Sequence, residues 1–151
     1  MTRLSINELT TYRWTFEEDV NSLVAAKIPA VGLWRQKLSD FGEEKAVELI
    51  RDSPLDVSCL LWAGGFTGSD GRGFRDAVDD AVEAIRLAGQ LEAKCLVVYT
   101  GPRGGHTHNH ARRLLFEAFK TLIPHAGEHG VCLALEPMHP HCASDWTFLT
   151  S

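Results

Sequence analysis

The chain has 151 residues, of which 44% are hydrophobic and 23% charged, and this fits one globular domain with a buried core. Its formal net charge of -5 argues against nucleic acid as the main partner, because phosphate binding favours a basic surface. No apolar run approaches the roughly 18 residues that span a bilayer, and the first residues lack the apolar core of a signal peptide. We therefore predict a cytoplasmic protein with no membrane partner.

Short apolar runs alternate along the chain with stretches of helical periodicity. Strands are predicted near residues 4–9, 30–34, 57–62, 94–99 and 131–135. Helices are predicted from residue 15, over about 42–51, over 74–89, around 114–123 and from about 143. The first of these helices begins at Thr15, where Glu18 completes a capping box, and Pro124 predicts a kink in the fourth.

This alternation indicates an α/β protein, either a doubly wound sheet or a (β/α) barrel. Side chains on the fifth run divide into a small face and a bulky aliphatic face. The small face carries Cys132, Ala134 and Glu136, and the bulky face carries Val131, Leu133 and Leu135. A bulky face suits packing against outer helices and a small face suits a crowded barrel interior, so the pattern favours a barrel.

Glu136 directly follows the fifth run, and α/β enzymes place their chemistry at the carboxyl ends of parallel strands. A carboxylate there can bind a divalent metal or act as a general base, whereas the plainer alternative is a solvated loop residue. His139 lies three residues further on and can face the same cavity. His141, beyond the stiffening Pro140, is the weaker candidate.

The loop after the fourth run contains His106, His108 and His110 at alternating positions. Such spacing suits an extended chain that presents metal ligands, but it matches no fixed zinc pattern. A histidine-rich surface loop is the favoured interpretation. The glycines of this loop can alternatively let the backbone approach a phosphate or a sugar.

Aromatic side chains fall near three predicted strand ends: Trp34, Trp62 and Tyr99. Aromatic walls suit the C–H faces of sugar rings, and ordinary core packing is the alternative. Arg35 can bind an anion or simply be solvated. We predict that Trp34 and Trp62 bind substrate, with His106 and His108 at the mouth of the site.

Four segments, in order along the chain, carry a family resemblance. They are Leu4–Thr11, Val31–Arg35, Gly64–Phe66 and Leu135–Pro140, of which the last is the most specific. Together they resemble the xylose isomerase-like TIM barrels, and more narrowly the sugar phosphate isomerase/epimerase branch of that family. The resemblance implies an α/β fold of the (β/α)8 type, with about the first five βα units present in this chain.

The resemblance also implies a function. Members isomerise or epimerise a sugar or sugar phosphate next to a carbonyl, using a divalent metal ion (Mn, Mg, Co or Zn). A base removes a proton from carbon, and the metal stabilises the enediolate oxygens. Glu136 matches the metal-binding glutamate of strand five, and His139 matches a site residue of the same motif.

A complete barrel has eight units and typically about 250 residues. Residues 1–151 are therefore predicted to form a single, incomplete domain that lacks strands six to eight and the other metal ligands. The favoured explanation is a fragment of a complete enzyme. The alternatives are a half-barrel that assembles with another copy as a homo-oligomer, and a non-catalytic remnant or assembly partner. Abasic-site DNA hydrolysis and polyol dehydration are alternative chemistries on the same scaffold.

Overall fold

A computed structural model describes residues 4–69 and 71–150, apart from the side chains of Cys142 and Ser144. Positions 1–3, 70 and 151 of the predicted domain lie outside the described residues. Five strands form one sheet, with bounds Ser5–Asn7 (β1), Ala30–Trp34 (β2), Asp56–Gly64 (β3), Cys95–Tyr99 (β4) and Cys132–Leu135 (β5).

Each strand pairs in parallel with the strand that precedes it in the chain, so the sheet order is β1-β2-β3-β4-β5. A doubly wound sheet would reverse its strand order at a switch point. The observed order runs in one direction only, as in a (β/α) barrel, and the prediction of a barrel-type α/β fold with five units is confirmed.

Six helices connect or follow the strands within the described ranges. They are Phe16–Ala25 (α1), Arg35–Phe41 (α2), Glu43–Asp52 (α3), Phe74–Gln90 (α4), His108–Glu128 (α5) and Pro140–Trp146 (α6). The capping box predicted for α1 is present: the Thr15 N–H donates to Glu18 Oε2 (2.7 Å), and the Glu18 N–H donates to Thr15 Oγ1 (3.2 Å). None of these helices is long and apolar enough to cross a membrane.

Helix boundaries differ from the predictions at three places. α2 begins directly after β2 without a turn signal, and Gly42, at φ 102°, separates it from α3. α5 begins at His108, well before its apolar stretch, because the Thr107 side chain accepts from the His110 N–H and caps the helix. α6 begins at Pro140, where the fixed φ of proline suits the first helical position.

The hydrophobic core lies between the sheet and its helices. Val31 and Leu33 of β2 are fully buried there. The sheet is tightly packed at Gly32, where an added Cβ would lie 3.0 Å from Cys59 Sγ. Leu135 of β5 departs from the prediction of helix packing, because 38% of its surface remains exposed.

Candidate functional site

An aromatic wall lines a cavity of about 340 Å³ at the carboxyl ends of the central strands. Trp34, Trp62 and Tyr99 come from the ends of β2, β3 and β4, and Trp146 of α6 packs against Trp62 and Tyr99. The Trp146 ring centroid lies 5.6 Å from that of Trp62 and 5.7 Å from that of Tyr99. The strand-end aromatics predicted from the sequence are therefore brought together.

Glu136 is fixed just beyond the end of β5. Its backbone N–H donates to Val98 O (2.9 Å), which extends the β4–β5 pairing by one residue. Its side chain is reached from across the sheet, because Trp62 Nε1 donates to Glu136 Oε2 at 2.9 Å. This half-buried carboxylate is hydrogen-bonded to another strand end, unlike a solvated loop residue.

Trp62 is itself tied to α4 through an ion pair. The β3–β4 register shifts between Leu61 and Ala63, so Trp62 has no paired residue on β4. Arg35 Nη1 donates to Trp62 O (3.1 Å), and the same guanidinium forms a bidentate pair with Asp80 at 3.0 and 2.9 Å. Burial opposes ionisation of Asp80, but the hydrogen bonds and charge of Arg35 outweigh it and hold the pKa of Asp80 below its usual range.

The predicted site histidines lie elsewhere at this edge. His139 Nδ1 accepts from the His141 N–H (3.3 Å) and so caps α6, and the two exposed rings stack at 5.1 Å. His106 Nε2 is hydrogen-bonded to Thr67 O (2.8 Å). His108 lines a separate cavity of about 470 Å³. Neither His139, His106 nor His108 lines the cavity that contains Trp34 and Trp62, and their roles stay predictions.

The described residues do not by themselves fit the implied metal ion. In ranges 4–69 and 71–150, no group of three or more His, Cys, Asp or Glu side chains is arranged to hold one. Glu136 is a single carboxylate, and tight divalent sites in proteins combine several ligands. A metal bound at Glu136 therefore requires further ligands from outside the described residues.

A buried polar network below the end of β1 was not predicted. Glu8 directly follows β1, is almost completely buried, and accepts from the Trp34 N–H at 2.6 Å. Burial raises the pKa of Glu8 to about 7, and the nearby Asp19 adds to this effect. Asp19 in turn forms a buried ion pair with Lys37, whose Nζ also donates to Thr11 O (2.9 Å). The only signal in the sequence was a carboxylate directly after a weak strand.

Glu8 Oε1 and Asp19 Oδ1 are both buried, and neither has a hydrogen-bond partner while both carboxyls are ionised. A proton on Glu8 lets its carboxyl donate to the neighbouring Asp19 carboxylate. The network therefore favours the neutral form of Glu8 below about pH 7, and the hydrogen bond from the Trp34 N–H fixes the backbone where β2 passes into α2.

Comparisons with known proteins agree with this architecture. A progressive parallel sheet covered by helices, with its polar groups at the carboxyl ends of the strands, defines part of a (β/α)8 barrel. The family model of the xylose isomerase-like TIM barrels matches residues 22–148. The chain belongs to this family.

Solved structures show the same relationship. Protein SMc04130 from Sinorhizobium meliloti 1021 is 34% identical with a TM-score of 0.87, covering 96% of this chain and 54% of that one. An IolI protein with a bound zinc atom is 17% identical with a TM-score of 0.76 (95% and 54% covered). The 3-keto-D-glucoside 4-epimerase YcjR from E. coli is 11% identical with a TM-score of 0.78 (98% and 59% covered).

The chain thus spans little more than half the length of these three structures. No curated protein matches the sequence.

Proposed function

We propose that this chain forms the first five strand–helix units of a metal-dependent isomerase or epimerase that acts on a sugar or sugar phosphate. The observation that carries the proposal is the position of Glu136, a carboxylate held by Trp62 at the end of β5 beside an aromatic-lined cavity. Family membership supports it, since one similar structure is named as an epimerase and another contains zinc.

In this proposal Glu136 is a metal ligand, and the remaining ligands come from strands that follow β5 in the complete barrel. The metal, Mn, Mg, Co or Zn, would supply charge stabilisation when bound. The aromatic rings of Trp34 and Trp62 suit the C–H faces of a sugar. His139 stays a prediction for a second site residue.

The surface beside β5 supports an incomplete barrel. A groove of about 350 Å³ runs between α5, Leu135 and the segment after α6. Its walls are almost wholly apolar, and Phe116 and Ile123 on α5 are 61% and 59% exposed. One further strand added at β5, with its helix on the outer face, would cover this groove and pair the open edge. We propose that the domain is completed in this way.

A chimera tests the proposed function. Residues 1–150 are joined to the part of the Sinorhizobium meliloti protein that this chain does not cover. The chimera is incubated with Mn²⁺ and a panel of ketoses and ketose phosphates in D₂O, and NMR follows deuterium incorporation at the carbon next to the carbonyl. We expect incorporation that Glu136→Ala lowers by at least about 100-fold, since losing even a partner of a metal ligand costs about 10–100-fold.

The matched control is Glu48→Ala, which removes an exposed carboxylate on α3 and should leave the rate unchanged. Equal rates for the Glu136→Ala and unmodified chimeras would show that Glu136 takes no part in the reaction.

A further inference from the structure

We propose that Trp62 is a positioning residue that fixes the orientation of the Glu136 carboxylate, and that the Arg35–Asp80 ion pair fixes Trp62. This inference rests on the proposed function, in which Glu136 binds the metal. It gives Trp62 a role beyond lining the substrate cavity, because the indole nitrogen binds Glu136 while the ring face lines the cavity.

The distance between the two strands explains why a tryptophan suits this position. Trp62 lies on β3 and Glu136 follows β5, so the hydrogen bond must pass over β4. Neighbouring strands are about 4.8 Å apart, which gives roughly 10 Å between the two strand axes. An indole is long and rigid and ends in an N–H donor, whereas phenylalanine has no donor and histidine is shorter.

The choice of a neutral donor follows from charge. Trp62 Nε1 donates one hydrogen bond to Glu136 Oε2 and leaves the other oxygen available. A lysine or arginine in this place would also fix the carboxylate, but it would neutralise the charge that attracts a cation. The indole orients the carboxylate without neutralising its negative charge.

Trp62 is held at both ends, as a positioning residue requires. Its carbonyl accepts from Arg35 Nη1, and Asp80 holds that guanidinium through two hydrogen bonds. Its ring packs against Trp146 at 5.6 Å between centroids. The side chain that orients Glu136 is therefore connected to α4, through Asp80, and to α6.

The first test uses the unmodified chain and needs no metal. The indole N–H of Trp62 is assigned by ¹⁵N NMR, and its hydrogen exchange is compared with that of Trp14, a tryptophan exposed in the β1–α1 loop. We expect exchange at least about tenfold slower at Trp62, because a hydrogen bond to a charged acceptor is worth about 1.5–3 kcal/mol. Glu136→Gln, which keeps an acceptor oxygen, should retain the protection, and Glu136→Ala should remove it.

The second test measures the orientation of Glu136 itself. With ¹³C-labelled glutamate, the order parameter of the Glu136 Cγ should fall below about 0.6, the range of flexible groups, in Trp62→Phe. It should be unchanged in Trp14→Phe, which makes the same change at a distant tryptophan. An unchanged order parameter in folded Trp62→Phe would overturn the inference. If that variant fails to fold, equal Trp62 exchange in Glu136→Gln and Glu136→Ala would overturn it instead.

These readouts are independent of the proposed function. One outcome is that Glu136 loses order in Trp62→Phe while Glu136→Ala does not change the Mn²⁺ affinity of the chimera. This would contradict the metal site and still support the positioning contact. Normal order in Trp62→Phe with Mn²⁺ affinity that depends on Glu136 would contradict the positioning role alone.

Discussion

Trp62 Nε1 lies 2.9 Å from Glu136 Oε2, although the two residues are 74 positions apart in the chain. This contact joins the ends of β3 and β5 across β4, and it is formed within the five units that this chain supplies. The Glu136 carboxylate is therefore oriented by a contact that lies within these five units.

The buried Glu8 predicts an unusual pH dependence of stability. The pKa of Glu8 rises from 4.5 to about 7 in the folded chain, mainly through burial. Between these values the unfolded chain releases a proton that the folded chain keeps, so the free energy of unfolding falls as pH rises from about 4.5 to 7. Glu8→Gln mimics the protonated form and should remove this fall. The difference in free energy of unfolding between Glu8→Gln and the unmodified chain should therefore be about 2–3 kcal/mol more in favour of Glu8→Gln at pH 8 than at pH 5.

Urea unfolding of both proteins at pH 5 and pH 8 checks this, because the comparison cancels the groups that the two chains share. Glu8→Ala is the control and should be less stable at both pH values, since it leaves the Trp34 N–H and Asp19 without their partner. Parallel pH profiles for Glu8→Gln and the unmodified chain would refute a neutral Glu8.

The Lys37–Asp19 pair predicts a large cost for losing one buried charge. Both side chains are almost completely buried, at 6% and 1% exposure. Lys37→Met removes the buried cation that pairs with Asp19 and should lower the free energy of unfolding by about 3–5 kcal/mol. Lys120→Met, which breaks the exposed Lys120–Glu117 pair on α5, should change it by less than about 0.5 kcal/mol. Similar losses in the two variants by urea unfolding would contradict the buried network.

Gly64 predicts a position where no side chain fits. It ends β3 at φ +150°, and an added Cβ would lie 1.9 Å from Tyr99 O, so the β3–β4 pairing would have to move. Gly64→Ala should destabilise the protein by about 3 kcal/mol or more. Gly127→Ala on α5, where nothing lies within 4 Å of the new Cβ, should stabilise by about 0.5 kcal/mol. Thermal unfolding of the two alanine variants gives the comparison, and equal shifts would argue against the close approach.

The groove beside β5 predicts that the isolated chain exposes an apolar surface that binds apolar molecules. Phe116 and Ile123 present apolar surface that a following helix would cover in a complete barrel. The chain should therefore bind an apolar dye such as ANS, and the double change to glutamine at these positions should reduce the fluorescence by about half or more. The chimera should also bind little dye. Dye binding that neither change affects would place the exposed apolar surface elsewhere.

The strands and the longest helix follow from the sequence because their patterns are local. The apolar runs gave all five strands within a few residues, and the periodicity of α4 gave that helix from Phe74 to within a residue of its end at Gln90. α2 was not predicted, because it begins directly at the end of β2 with no turn residue between them. The glycine at φ 102° after it shows the break only once the backbone is known.

The contacts of the site join residues that are far apart in the chain, and these contacts could not be predicted from the sequence. Glu136 was identified from its place after an apolar run, but its hydrogen bond to Trp62 joins two strands that are not neighbours in the sheet. Glu8 also directly follows a strand, and only its burial in the structure distinguishes it from an ordinary loop carboxylate. His139 caps α6 through Nδ1, a local contact that motif spacing did not indicate.

The Mn²⁺ dissociation constant of the chimera, measured by electron paramagnetic resonance, tests the central claim most directly. If Glu136 is a ligand in a site that further strands complete, the chimera binds Mn²⁺ much more tightly than residues 1–150 alone. Glu136→Ala should then weaken binding by at least about 100-fold, and Glu48→Ala should leave it unchanged. Equal affinities for the unmodified and Glu136→Ala chimeras would contradict the account.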